Sequence, residues 1–205
     1  MQTKIRGLGQ SGSEVDLKAT DGGVLANLPY SVLWTAKGYG FQAMATAAVA
    51  ALVVRPTTTA AATLRNNSTT KVLVIERVFA HWLVSTAAQT FAGLWVCVHP
   101  AGMAAVTNDI TVRNSTNGGA AGGSETSFDN GATVTDDGWF PWGSQIETSA
   151  TGVLPGATSI AEVGGRLIVP STAGISLHVV SGLVGDTFTG GFFWYEVPES
   201  ELLNS

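Results

Sequence analysis

The sequence predicts an all-β chain folded as two antiparallel sheets packed face to face. Three observations carry this. Alternating apolar runs of strand length recur from Ala62 to Pro198. Gly, Pro and Asn clusters punctuate them at short intervals. No stretch sustains the 3.6-residue apolar period of a long core helix.

Residues 1–40 read as an extended N-terminal arm, polar and Gly-containing over the first thirty, then carrying the aromatics Tyr30, Trp34 and Tyr39, which give it anchors to dock with. The sandwich spans 41–198 and a short tail 199–205 follows. The Ala-rich 43–51 has helix propensity but runs into "LVVRP", which favours strand after Ala48. "ATLRNNSTTKVLVIERVFAHWLV" is strand, Asn-Asn-Ser turn, long strand, and "TFAGLWVCVHPAG" is a strand halted by Pro100. Residues 114–144 form a Gly/Asn/Asp-rich excursion with at most one short strand, near Thr133–Thr135. "RLIVPSTAGISLHVV" reads as a hairpin, and "GGFFWYEVPE" is the last strand.

Several strands are apolar on both faces. In the last one, Phe192, Trp194 and Glu196 share one face, and Phe193, Tyr195 and Val197 the other. Alternation along "KVLVIERVF" puts Val72, Val74 and Val78 opposite Leu73, Ile75 and Phe79. Two packed sheets cover only one face of each. Aromatics bury about 150–250 Å² apiece, so a bare second face would rival the largest apolar patch a monomer usually shows. A third layer is expected: the arm, the excursion or further copies of the chain. We expect a homo-oligomer with an ordered arm.

Charged residues make up 12% of the 205, mean hydropathy is +0.25 and the net charge is -5. The Lys and Arg residues are scattered, which argues against a nucleic-acid partner. The N-terminus has no apolar signal-peptide core, and the run "FQAMATAAVAALVV" is too short for a membrane span. Cys97 reads as a small buried hydrophobe.

No catalytic or metal motif emerges. His81, His99 and His178 lack partners at metal-ligand spacing, and Cys97 with His99 supplies two ligands where zinc needs three or four. "NGGAAGG" lacks the ending of a phosphate loop, and Asp136 and Asp137 are adjacent residues that a strand would point apart. The expectation is a non-enzyme with no cofactor and no metal. "DGWFPWG" gathers Trp139, Phe140 and Trp142 around Pro141. They would cap the core, contact a subunit or capsid, or stack on sugar rings.

The C-terminal third, through Val169, Pro170, Gly174, Trp194, Glu196, Val197 and Pro198, resembles the ending of jelly-roll virion proteins of tailed bacteriophages. "LRNNSTTKVLVIERV" is similar to their early hairpin. The resemblance covers about half the chain through structural motifs rather than chemical ones. It implies a jelly roll, a capsid cement or decoration protein bound to the major capsid protein at the virion surface, and a trimer made in the host cytoplasm. The alternative it leaves open is a glycan- or receptor-binding module of a head fibre or tail.

Overall fold

The computed structural model describes residues 6–8, 14–16, 29–84, 92–119, 123–135, 138–142, 158–182 and 185–202. In chain order they form β1 (Arg6–Leu8), β2 (Glu14–Asp16), α1 (Tyr30–Ala36), β3 (Gly40–Met44), β4 (Val49–Ala50), β5 (Ala62–Asn66), β6 (Lys71–Val84), β7 (Ala92–His99), β8 (Arg113–Asn114), β9 (Thr126–Asn130), β10 (Phe140–Pro141), β11 (Thr158–Val169), β12 (Gly174–Ser181), β13 (Thr187–Pro198) and α2 (Glu199–Leu202). Among the described residues, strands β1 and β2 pair only with each other, as a separate antiparallel ribbon.

The rest is a two-sheet sandwich. One sheet runs β11-β6-β13-β3-β8 and the other β10-β7-β12-β5-β9, and these neighbouring strands all pair antiparallel. Set aside β8 and β9, which extend the sheets beside β3 and β5, and the short β4. The eight remaining strands, in chain order, stand as first-eighth-third-sixth in one sheet and second-seventh-fourth-fifth in the other. That is the strand order of a jelly roll.

This order corrects two local expectations. "RLIVPSTAGISLHVV" is not a hairpin: β11 belongs to one sheet and β12 to the other, and β5 and β6 are divided in the same way. Both connections arch across the sandwich. Short strand–turn–strand sequences look alike in either case, because the choice of pairing partner is made by distant strands. The excursion also holds more strand than expected. Beyond the Thr59–Thr133 bridge it contains β9, which lays Thr126–Asn130 along β5. Asp and Asn disguise β9 in the sequence, and its core contribution is the fully buried Phe128.

Asn66 ties the two arches together. Its side-chain amide donates to the carbonyls of Lys71 (2.9 Å) and Val169 (3.1 Å), and its side-chain oxygen accepts from Ser68 N–H (2.9 Å). Its backbone N–H donates to Ala173 and its carbonyl accepts from Thr172. Thr172 stands at φ 60, a left-handed conformation costly for a β-branched residue. Its hydroxyl accepts from Gly102 N–H and its carbonyl from Met103 N–H, so these bonds hold it there.

A bulge shifts the phase of β6. Trp194 faces Ile75 and Phe193 faces Arg77, leaving Glu76 unpaired between them. Leu73 and Ile75 point into the core before the bulge, and Val78, Ala80 and Trp82 after it. The uninterrupted alternation expected from the sequence, with Val78 on the face of Val72 and Val74, is therefore corrected. In β13 the alternation holds: Phe192 packs edge-on to Phe128 and Trp194 stacks over Phe41 inside the sandwich.

Within the segment read as an arm, residues 30–36 are helical. Gly38, at φ 80, ends the helix: its N–H bonds Thr35 carbonyl and Tyr39 N–H bonds Trp34 carbonyl, a Schellman closure. Val49–Ala50 forms the short β4, after Ala48 as expected, while β3 at Gly40–Met44 is a strand the sequence did not signal.

Asn66→Ala leaves the Val169 carbonyl and Ser68 N–H without their partner. We expect a loss of about 2–4 kcal/mol, from two buried groups at roughly 1–3 kcal/mol each. Urea unfolding checks this, and Asn66→Asp, which keeps the volume and loses the donor, should fall in the same range.

Candidate interaction surfaces

Each sheet has an outer face, and the chain covers most of both with its own residues. On the β11-β6-β13-β3 face, α1 lies over Val72, Val74, Tyr195 and Val197, with Trp34 and Leu202 packed against them. Trp34 sits 5.4 Å from the Tyr195 ring and 4.8 Å from Tyr30. The Tyr30 hydroxyl donates to Glu76 Oε2 at 2.6 Å, using the bulged residue as its anchor. Burial, and then this carboxylate, push the Tyr30 phenol above its ordinary pKa. Gly40 permits the close approach: a Cβ there would lie 3.3 Å from both Thr35 Oγ1 and Ser115 Cβ. Tyr39 donates to Glu201 Oε1 (2.9 Å), and Lys37 pairs with Glu201 Oε2 (2.5 Å). The structure thus brings Tyr30, Trp34 and Tyr39 onto the sandwich itself.

The outer face of the other sheet is covered by the excursion. Ala60, Cys97, Val134 and Trp139 form a second buried cluster, flanked by Trp95, Met103 and Ala132. Trp139 is buried and its Nε1 donates to the Thr57 carbonyl at 2.6 Å. Trp142 packs against the main core with Arg166 5.8 Å above its ring. Phe140 behaves differently. It lies on the edge strand β10 and is 66% exposed. The three aromatics of "DGWFPWG" therefore form no common platform.

The histidines are dispersed. His81 bonds Thr158 Oγ1 (2.9 Å), His99 Nε2 bonds Ser176 Oγ (2.7 Å), and His178 is buried, its pKa lowered by desolvation. Cys97 is buried, with Sγ 3.9 Å from His99 Nδ1. Among the described residues no three His, Cys, Asp or Glu side chains gather closely enough to hold a metal ion. Asp136, Asp137 and the centre of "NGGAAGG" lie outside the described residues.

One stretch of outer face stays open. Next to the area under α1, the cross-strand row Ile160–Phe79–Gly191–Met44 runs over β11, β6, β13 and β3. At Gly191 the β3 backbone approaches so closely that a Cβ there would run into the Ala43 carbonyl. Beside this row lies a trough of about 410 Å³, lined by the apolar Phe79, Phe193, Met44, Ala43 and Ile110 and by the polar Gln42, Thr46, Asp109, Thr111 and Arg113. Phe79 and Phe193 pack 5.4 Å apart, with Arg77 over Phe193. Met44 is 49% and Ile160 39% exposed. The sequence carried a signal for this site in the two apolar faces of β6 and β13; it did not show which part α1 would cover.

At the sandwich end nearest the arches, Glu196 is buried and accepts from Ser124 Oγ (2.6 Å) and Glu125 N–H (2.9 Å), clamping the returning excursion to β13. Lys71 bridges Glu125 at 2.6 Å and stands 4.0 Å from Glu196.

No family model matches the sequence, and no curated protein matches it. A search of solved structures returned a chain from "Structure of a marine algae virus of the order Picornavirales", 11% identical, covering 98% of this chain and 87% of that one, with a TM-score of 0.24.

Two outcomes are expected from this geometry. Trp139→Ala should cost about 3–5 kcal/mol, as large buried aromatics do, whereas Phe140→Ala should change stability by less than about 0.5 kcal/mol; thermal unfolding separates them. Burial raises the Glu196 pKa above the ordinary carboxylate value. Its stabilising contribution is then complete below that ordinary value and lost as pH rises through the raised one. Measured across this window, the stability of Glu196→Gln relative to the parent should improve as pH increases.

Proposed function

We propose that this chain is a non-enzymatic virion structural protein, a cement or decoration protein that stabilises a phage shell by binding its major capsid protein. The observation that carries the reading is the jelly-roll strand order combined with an N-terminal ribbon that pairs only with itself. A fastening protein needs a rigid body to sit on the shell and an extension to lie across a seam, and it needs no chemistry. The resemblance of the C-terminal third and the "LRNNSTTKVLVIERV" stretch to tailed-phage virion proteins supports the same reading. The number three for its oligomer comes from that resemblance alone.

The aromatic loop favours this role over glycan binding. Trp139 and Trp142 are committed to packing, which leaves Phe140 as the exposed ring. A sugar-stacking site on one exposed phenylalanine is a poor platform. Shell fastening draws instead on many modest apolar contacts repeated by symmetry.

The test is reconstitution on particles lacking the protein, followed by cryo-EM. The parent chain should decorate the shell. A chain without residues 1–28 should keep a β-dominated circular dichroism spectrum and lose decoration, while Phe140→Ala decorates normally. If the truncated chain still decorates and Phe140→Ala abolishes adsorption of the virion to cells, the receptor-binding reading replaces this one.

A further inference from the structure

Helix α1 covers one outer sheet face and receives the chain at Pro29, yet little in its own makeup holds it in place. It has seven residues, and isolated helices shorter than about 12–15 residues are marginal in water. Its N-cap, Pro29, offers no side-chain hydrogen bond, and its first turn has no acidic residue. None of its residues is buried: Val32 and Leu33 stand 49% and 44% exposed on a helix that covers apolar strands. Its position therefore depends on what its two ends are tied to.

Those ties are unequal. Just beyond the C-terminal end, the Gly38 carbonyl accepts from Asn114 Nδ2 (2.8 Å) and the Tyr39 carbonyl from Glu196 N–H (2.9 Å). Lys37 and Tyr39 both reach Glu201, and Thr116 Oγ1 donates to the Thr35 carbonyl at 2.6 Å. Toward Pro29 the ties run from side chain to side chain. Tyr30 donates to Glu76, the Ser31 and Thr35 hydroxyls bond the Tyr195 phenol, and the Tyr30 and Trp34 rings rest against Tyr195. Among the described residues, 30–34 make no backbone hydrogen bond to either sheet. Ties of this kind, half exposed, each contribute modestly. Between the firm end and the rest of the helix stands Gly38, at φ 80 with open space around its α-carbon, a natural pivot.

We infer that α1 is a detachable strap: it leaves the sandwich about Gly38 as one unit while both sheets stay folded, uncovering Val72, Val74, Tyr195 and Val197. Opening also frees the Tyr30 and Trp34 rings and lets the chain entering at Pro29 take another course. The sheets lose no ladder hydrogen bond in the process, because α1 lies on a face and not in the strand order. The inference stands on the fold alone and does not depend on the cement role.

The experiment is native-state hydrogen exchange on the full chain in solution, repeated in low urea. Once detached, so short a helix does not persist, and its amides exchange. The Leu33 and Lys37 amides, bonded to the Pro29 and Leu33 carbonyls, should open together, with one shallow urea dependence. Relative to their unprotected rates they should exchange at least about a hundredfold faster than the β13 amides paired with β6. A second readout tests the face beneath. The thiol of Val74→Cys should react with a small maleimide in step with the α1 amides, while the native Cys97, buried on the other sheet, serves as the reference. Tyr30→Phe removes the bond to Glu76 and should speed both α1 exchange and Val74→Cys labelling roughly tenfold, leaving β13 and Cys97 unchanged.

Amides of α1 that exchange only with β13, at the same urea dependence, overturn the strap and make α1 an integral part of the sandwich. Fraying of α1 residue by residue, without labelling of Val74→Cys, overturns it as well, as do rates that Tyr30→Phe leaves unchanged. The exchange measurement uses the unaltered chain, so it decides the matter however well Val74→Cys folds.

Discussion

A chain that crosses from sheet to sheet at its turns breaks the hydrogen-bond ladder at every crossing, and the freed backbone groups must find partners inside the protein. Asn66 meets this requirement where two crossings lie side by side. Its amide and backbone together bond residues on both arches, from Ser68 and Lys71 on one to Val169, Thr172 and Ala173 on the other. The strand order follows from these crossings. If β5 and β6 paired as a hairpin, Asn66 would sit in a solvated turn and the two sheets would lose their shared corner. Thr172 shows how tightly this corner is determined, since a β-branched residue is held at positive φ by bonds to two other loops.

The second organising constraint is the apolar character of both sheet faces. Glu76 is central to how the chain manages it. As an extra residue it turns Val78, Ala80 and Trp82 inward, and as a carboxylate it receives the Tyr30 hydroxyl and so positions α1. One bulge therefore decides both which residues enter the core and where the covering helix stands. On the opposite face the excursion does the corresponding work, with Trp139 folded down onto Cys97 and Val134. The edges are also protected. Paired glycines bulge β11, and Arg166 bonds back to the Val163 and Glu162 carbonyls, which blunts that strand as a template for uncontrolled pairing.

Among the described residues, what remains open includes the trough beside Phe79 and Phe193, a second depression beside Val98 and Met103, and the exposed edge ring of Phe140.

The all-β class, most of the long strands and the existence of a third layer were legible in the sequence. Alternation and turn residues are local properties, and "GGFFWYEVPE" could not hide aromatics on both faces of one strand. Tyr30, Trp34 and Tyr39 stood out in the sequence as aromatics, but the helix that carries two of them onto this chain's own sheet was signalled only by Gly38. Only the tertiary structure decided that two apparent hairpins are arches, that β6 changes phase at Glu76, and that Trp139 is buried while Phe140 is exposed. These features share a physical reason. Each depends on a pairing partner or covering segment far away in the chain: Val169 for Asn66, Trp194 and Phe193 for the bulge, Thr57 for Trp139. Local sequence sets what each segment can form, and long-range contacts select which form satisfies every buried group at once.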